Sequence, residues 1–416
     1  MYFFYNILYG LVLLCILPYQ YFKRPEELRG RWLRERFGFV PSSSHTHRPI
    51  WIHAVSVGEV VASIPLLKGL KASYPDSEIV LSTVTDTGQM VAREKAGELA
   101  RIIYIPFDIT FAVAHAYNAI RPSLFIIMET ELWPAIIRFF SRHGTPVLLM
   151  NGRLSDKSVN GYRKLRFFFE KVLRDISFFC MQDEEYARRI IALGADERNV
   201  RAIGNFKFDT SPATIAPQWT RFLSRPVIVA GSTHRSEEAL VMDVFVQLLA
   251  DYPGLTLVVA PRHPERFREV EDLFKKLGIS YLKRSEMKDS AASAPNSYGP
   301  VIILDVMGEL ALIYGTADIA IMGGSFIGHG GQNPLEPAFW GKAIICGPHM
   351  ENFPFIEEFY RNGAAVKTEN SNLYGTVKDI LGSPELMRSM GKAAKELYEK
   401  KSGAAEKALL IIGKYL

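Results

Sequence analysis

Two series of short apolar runs, each run separated from the next by a longer amphipathic stretch, constrain this chain more than any other feature. The first series occupies residues 50–55, 79–83, 102–105, 124–128, 147–150 and 178–181; the second occupies 227–230, 255–260, 301–304, 319–322 and 343–345. Runs this short and this uniformly apolar read as strands buried on both faces, and the intervening helical stretches, such as 65–73, make each sheet parallel. A chain of 416 residues, 48% hydrophobic and 22% charged, is long enough for two such cores. The expected fold is α/β: two doubly wound, Rossmann-like domains facing a central cleft. The stretch 206–224, with Ser211, Pro212 and Pro217 and little periodicity, reads as the linker between them. Residues 283–297, rich in Lys, Ser and Ala, read as a surface loop.

Residues 1–21 are apolar and aromatic, and Lys23, Arg24, Arg29, Arg31, Arg34 and Arg36 follow. That order predicts a membrane-anchor helix with the rest of the chain on the cytoplasmic side. A cleaved signal peptide has its charges in front and small residues behind, which is not the order here. The formal charge of +5 is modest for the length, so nucleic acid is not an expected partner. Cys15, Cys180 and Cys346 are scattered through apolar runs and offer neither a disulfide framework nor a zinc site. No grouping of His, Asp and Glu has metal-ligand spacing, so neither a protein-held metal nor another cofactor is expected.

In doubly wound sheets ligands bind beyond the carboxyl ends of the strands, so the residues just after each run carry most weight. After 319–322 comes Gly323-Gly324-Ser325-Phe326-Ile327-Gly328-His329-Gly330-Gly331-Gln332-Asn333-Pro334-Leu335-Glu336. Glycines admit a ligand close to the backbone, Asn333 and Pro334 suit a helix start that favours an anion, and Glu336 suits ribose hydroxyls. After the first run, His53-Ala54-Val55-Ser56-Val57-Gly58-Glu59 places Glu59 at a helix start. There it either caps the helix or acts as a general base in the cleft. Ser56 in Ala54-Val55-Ser56-Val57-Gly58 lies one residue away from a nucleophile-elbow pattern and raises a hydrolase alternative.

Glu129 and Glu131 leave the run 124–128 two residues apart, and would point to one side if the chain stays extended. Lys207 sits at the domain junction, where it could share charge with them. In the second half, Ser232 and Thr233, Pro261 and Arg262, and Met307, Gly308 and Glu309 follow successive strands. Arg262 could hold a phosphate or carboxylate through its planar fork. His53, His234, His263 and His329 read individually as structural or hydrogen-bonding residues.

Taken together, residues 53–59, 128–134, 204–209, 261–264, 307–310 and 323–336 resemble the 3-deoxy-D-manno-octulosonic acid (Kdo) transferases of lipopolysaccharide synthesis. The resemblance covers nearly the whole chain. It implies a GT-B glycosyltransferase that acts with inversion and without metal, moving Kdo from CMP-Kdo to a lipid A precursor at the inner membrane. It implies Glu59 as general base, with Glu129 and Lys207 supporting the transition state. Donor contacts would come from Pro261, Arg262, Met307, Gly308, Glu309, Asn333, Pro334, Leu335 and Glu336, to which the strand-end position of Ser232 and Thr233 adds two further substrate contacts. The implied organisation is an anchor at 1–21, an acceptor domain at 22–205, the linker 206–224, a CMP-Kdo domain at 225–395 and a final helix, 396–416, packing back on the N-terminal domain. Arg138, Arg142, Arg153, Arg163 and Lys164 could draw in the acceptor phosphates. The rival readings are a membrane-tethered nucleotide-binding module and another nucleotide-sugar transferase of the same fold. A dehydrogenase is disfavoured, because the glycines after 322 do not give G-x-G-x-x-G.

Overall fold

The computed structural model describes residues 2–43, 47–210, 215–287 and 301–416. The chain forms two compact units, Met1–Thr210 with Lys401–Leu416, and Ser211–Lys400.

The first unit holds seven strands: β1 (Ile50–His53), β2 (Ile79–Thr83), β3 (Arg101–Tyr104), β4 (Leu124–Met128), β5 (Val147–Gly152), β6 (Phe178–Met181) and β7 (Val200–Ala202). All neighbours are parallel, in the order β3-β2-β1-β4-β5-β6-β7. Alternate residues feed two cores. Trp51, Phe125 and Leu149 face one, and Ile52, Ile126 and Leu148 face the other, which is why the runs are apolar without alternation. The winding reverses between β1 and β4, so the crevice of this sheet lies where the chain leaves those two strands.

The second unit repeats the plan with β8 (Val227–Thr233), β9 (Thr256–Pro261), β10 (Leu282–Lys283), β11 (Val301–Ile303), β12 (Ile319–Met322), β13 (Ala343–Cys346) and β14 (Ala365–Lys367). The order is β10-β11-β9-β8-β12-β13-β14, again all parallel. Its reversal lies between β8 and β12.

β7, β10 and β14 escape the sequence reading. They are two or three residues long, lie at the sheet edges, and carry charge on exposed (Arg201, Lys367) or half-exposed (Lys283) positions. Lys283 therefore belongs to a strand rather than a surface loop, and Arg284 behind it is buried; residues 288–297 of that expected loop lie outside the described residues.

The expected linker also divides differently. Phe206 and Phe208 are buried in a single helical turn, Phe206–Asp209, that belongs to the first unit. Each such side chain removed from water contributes roughly 1.5–3 kcal/mol, which a solvated linker would forgo. Trp219 is fully buried on the other side of the division. At the C-terminus, the helix Pro384–Lys401 runs past the expected boundary at 396. The helix Ala404–Ile412 is the part that joins the first unit, where Ala404, Ala408 and Ile412 pack among Val60, Leu66 and Leu67.

Three N-terminal helices matter below: α1 (Tyr2–Phe22), α2 (Glu26–Arg36) and α3 (Val57–Ser73). α1 is the helix among the described residues long and apolar enough to cross a membrane.

Candidate active site

β1 delivers the chain straight into α3. Ser56 is its N-cap, with an extended backbone (φ −117°, ψ 169°) and a hydroxyl that accepts the Glu59 N–H at 3.5 Å. The Glu59 carboxylate reaches back, Oε2 accepting the Val55 N–H at 2.8 Å and Oε1 the Ser56 hydroxyl at 3.0 Å. This is a reciprocal cap, so the structural role foreseen for Glu59 is real. It is not the whole of it, because Glu59 is only 6% exposed. Burial first, then the charges of Glu129 and Glu131, push its pKa up to about 7 against the opposing hydrogen bonds. A carboxylate poised near neutrality is what proton abstraction requires. Ser56 has its hydroxyl engaged by the cap and lacks the strained backbone of a nucleophile elbow, so the hydrolase alternative falls.

The neighbouring strand β4 turns off abruptly. Glu129 has φ +54° and donates its N–H to the Met150 carbonyl at 2.8 Å. The chain therefore does not stay extended, which corrects the expected same-side arrangement; the kink, not strand alternation, brings Glu129 and Glu131 within electrostatic reach of Glu59. Burial and the Glu129 charge raise the pKa of Glu131 as well.

Several bonds hold this turn. Thr130 exchanges hydrogen bonds with the backbone of Arg153. The Trp133 indole N–H donates to His53 Nε2 at 3.2 Å. Asp108 caps the next helix, Pro134–Arg142, through the N–H groups of Ala135 and Ile136 at 3.2 and 2.8 Å. His53 is fully buried, and burial lowers its pKa to about 3. As a neutral ring it presents Nδ1 to Ser82, 3.1 Å from the carbonyl and 3.0 Å from the hydroxyl, which leaves Nε2 to accept from Trp133. Its role is to orient the turn.

Lys207 belongs to the turn capped by Asn205, whose side chain accepts the Lys207 N–H at 3.0 Å. Partial burial lowers its pKa and the Glu129 charge opposes that shift. The first unit thus gathers Glu59, Glu129, Glu131 and Lys207 beyond β1 and β4.

In the second unit the glycine stretch after β12 is held in a way the sequence reading missed. Glu237, 2% exposed, accepts N–H groups from His234 at 2.9 Å, Gly324 at 2.7 Å and Phe326 at 3.0 Å. Gly323 packs so tightly on the Ser232 carbonyl that a Cβ would overlap it, and Gly324 has φ +66°. These backbone donors are spent on the fold and not on a ligand. The helix that follows, Leu335–Phe339, is a single turn; Asn333 Oδ1 accepts the Leu335 N–H at 3.2 Å as foreseen. Glu336 lies half-buried in that turn and raises the pKa of Tyr314 after burial has done so.

The remaining strand ends differ in what they offer. Ser232 has φ +56°. Thr233 is buried and its hydroxyl donates to Glu238 at 2.9 Å; Arg266 pairs with the same carboxylate at 2.7 and 3.1 Å. Pro261 ends β9, and the Arg262 guanidinium after it is exposed. Met307 is exposed and Gly308 has φ +88°. The Glu309 carboxylate is taken up by Arg284, at 2.8 and 2.9 Å, and by the Trp219 indole at 3.1 Å. That leaves backbone and Met307 as what this turn presents.

The histidines discounted one by one converge. His234 stacks on His329 with centroids 4.6 Å apart, meets His263 at 5.4 Å, and faces Gln332 Nε2 across 3.2 Å. Its pKa is lowered to about 4 by burial and by His329, His263, Arg266 and Arg262. Such a cluster favours an anion, and no single-residue signal in the sequence announces it. Among the described residues no group of three or more His, Cys, Asp or Glu is arranged to hold a metal ion.

Against known proteins, residues 31–210 match the family model described as 3-deoxy-D-manno-octulosonic-acid transferase (kdotransferase). A 3-deoxy-D-manno-octulosonic acid transferase of Haemophilus influenzae is 35% identical over 97% of this chain and 96% of its own length. One of Chlamydophila psittaci is 30% identical over 88% and 85%. A bifunctional glycosyltransferase/methyltransferase of Fusobacterium nucleatum is 33% identical over 88% of this chain, which spans 57% of that protein. Among solved structures, a putative UDP-N-acetylglucosamine 2-epimerase from Listeria monocytogenes (TM-score 0.58, 12% identity, 88% of this chain and 96% of that one) shares the fold. So does the Neisseria meningitidis UDP-GlcNAc 2-epimerase (TM-score 0.57, 11% identity, 88% and 100%). At such identity these structures speak to the fold alone, two Rossmann-like α/β units of GT-B type. The curated relatives, aligned along nearly the whole length of the molecule, decide the rest: the chain belongs to the 3-deoxy-D-manno-octulosonic acid transferases.

Proposed function

We propose that this enzyme transfers Kdo from CMP-Kdo to a lipid A precursor in one inverting displacement, with Glu59 as the general base. The observation that carries the reading is the Glu59 carboxylate, buried at the switch point of the first sheet with a pKa near 7. Its charged form takes the proton of a glucosamine hydroxyl while that oxygen attacks the anomeric carbon. The bond from that carbon to the phosphate oxygen breaks, and its electron pair leaves with CMP. Attack opposite the departing phosphate inverts the anomeric carbon.

Glu129, whose charge acts on both Glu59 and Lys207, and Lys207 are assigned the steadying of charge in the transition state. The donor belongs to the second unit. Arg262 with His234, His263 and His329 suits its carboxylate and single phosphate, while Pro261, the 307–309 turn, Ser232 and the 333–336 segment suit the cytidine. A monophosphate leaving group carries less charge than a diphosphate, so the Arg262 guanidinium offsets much of it while the imidazoles offer hydrogen bonds. The acceptor is a lipid, which fits an apolar helix on the unit that holds Glu59, and the basic residues that follow that helix support a reaction at the cytoplasmic face of the inner membrane.

Incubation of the purified protein with CMP-Kdo and tetraacylated lipid A precursor should yield product one or more Kdo units heavier by mass spectrometry. The anomeric configuration at the new bond, read by NMR, should be opposite to that of the donor. Retained configuration would remove the single displacement, and unchanged acceptor with CMP still bound would reduce the protein to a nucleotide-binding module.

A further inference from the structure

α1 has two faces. Tyr2, Tyr5, Tyr9, Leu13, Leu17 and Tyr21 recur at three- and four-residue spacing, so they line one side of the helix. Tyr2 donates to Asp175 at 3.2 Å and packs on Phe168. Tyr5 donates to Asp108 at 2.5 Å and stacks on the same Phe168, centroids 5.8 Å apart. Asn6 accepts the Thr110 N–H at 2.7 Å. Farther along, Tyr9, Leu13, Leu17 and Tyr21 pack on Trp32, Tyr104, Phe107 and Ala112. The contacts at residues 2 and 21 lie about 28 Å apart along the axis, so the first unit holds this helix from end to end. A helix standing across a bilayer leaves its soluble domain behind after one turn; this one does not.

The opposite side is apolar and bare: Phe3, Phe4, Leu8, Leu11 and Leu14 are exposed. The surface beside it continues in kind. Phe111 follows Thr110 and is exposed, and Leu165 and Phe167, 51% and 67% exposed, precede Phe168. Arg163, Lys164 and Arg166 are interleaved with them and exposed. Apolar side chains set among basic ones suit the boundary between acyl chains and anionic headgroups. Of the basic residues after α1, Arg24 and Arg36 are buried in the protein while Lys23 and Arg34 are exposed, so this second cluster adds to the charge of the flank.

We propose that α1 does not span the membrane but lies in its plane, with Phe4, Leu8, Leu11 and Leu14 in one leaflet of an anionic phospholipid bilayer and the 163–167 turn seated beside them. Asp108, which receives Tyr5, also caps the helix that follows the Glu129–Trp133 turn. The lipid-seated helix therefore braces the acceptor side of the site. This topology rests on the packing of α1 and stands whether or not Glu59 is the base.

The test is the immersion depth of nitroxide labels on the full-length protein in vesicles of phosphatidylethanolamine and phosphatidylglycerol, read from collisions with oxygen and with a nickel chelate. Labels go on Phe4→Cys, Leu8→Cys, Leu14→Cys and, separately, Phe167→Cys, all in a Cys15→Ser background; Cys180 and Cys346 are buried. These positions are exposed, so the packed face is left intact. An in-plane helix puts all four labels in the lipid at depths within about 5 Å of one another. A spanning helix separates Phe4 from Leu14 by about 15 Å along the normal and leaves Phe167 in water, and either result overturns the proposal. Nickel-accessible labels throughout would overturn it too, by removing the lipid contact.

Discussion

Glu59 caps α3 and, in the same position, is set up to take a proton, because its cap bonds use one lone pair on each oxygen and burial supplies the basicity. Only the ionised form accepts a proton. Transfer measured as kcat/KM for the acceptor should therefore fall about tenfold per pH unit below about 7 and level off above it. Glu131→Gln removes a like charge beside Glu59, so the acid limb should move to lower pH. A role confined to folding would alter the melting temperature and leave the limb in place. The raised pKa also bears on stability. Relative to the unfolded chain, the contribution of this group is fully present below its ordinary value of 4.5 and is lost as pH rises through about 7. Glu59→Gln should escape that loss, melting roughly a few °C above wild type at pH 8 and level with it at pH 4.5; thermal melts at the two pH values check this.

The glycine stretch of the second unit is held by a residue outside it. Glu237 collects three N–H groups, those of Gly324 and Phe326 buried and that of His234 partly so. Glu237→Ala orphans the two buried ones at about 1–3 kcal/mol each, so it should cost at least about 2 kcal/mol in denaturant melts and weaken CMP binding at least about tenfold by calorimetry. The longer buried strands were legible because burial on both faces demands uninterrupted apolar residues. β7, β10 and β14 were not, since short edge strands bury little and carry charge. The order of strand, glycines and helix start was legible too. What was not is where its N–H groups go, because Glu237 lies about ninety residues upstream and only the sheet order brings β8 beside β12. The same holds for His234, His263 and His329. Glu129 failed for another reason: a left-handed glutamate has no signature in sequence, and its neighbourhood to Glu59 depends on that one dihedral.

Across the whole molecule, chain order and structural unit do not coincide. The last helix, Ala404–Ile412, seals the core under β1 and α3, about 350 residues from the strand it covers. Asp209 ties it in by accepting the N–H groups of Gly403 and Ala405 at 2.5 and 2.6 Å. A charge buried there should strike the unit of the base and spare the unit of the donor. Ala408→Asp is expected to lower one of two calorimetric transitions by roughly 10 °C, with the transition that CMP shifts upward left in place; a single transition falling as a whole would show that the units melt together. On the proposed reading the base belongs to the first unit and the CMP contacts to the second. The most direct measurement is single-turnover transfer by full-length Glu59→Gln and wild type, with CMP affinity measured on the same preparations. Affinity within about twofold and transfer slowed about 10²–10⁴-fold is the predicted result; transfer within tenfold of wild type would contradict Glu59 as the base.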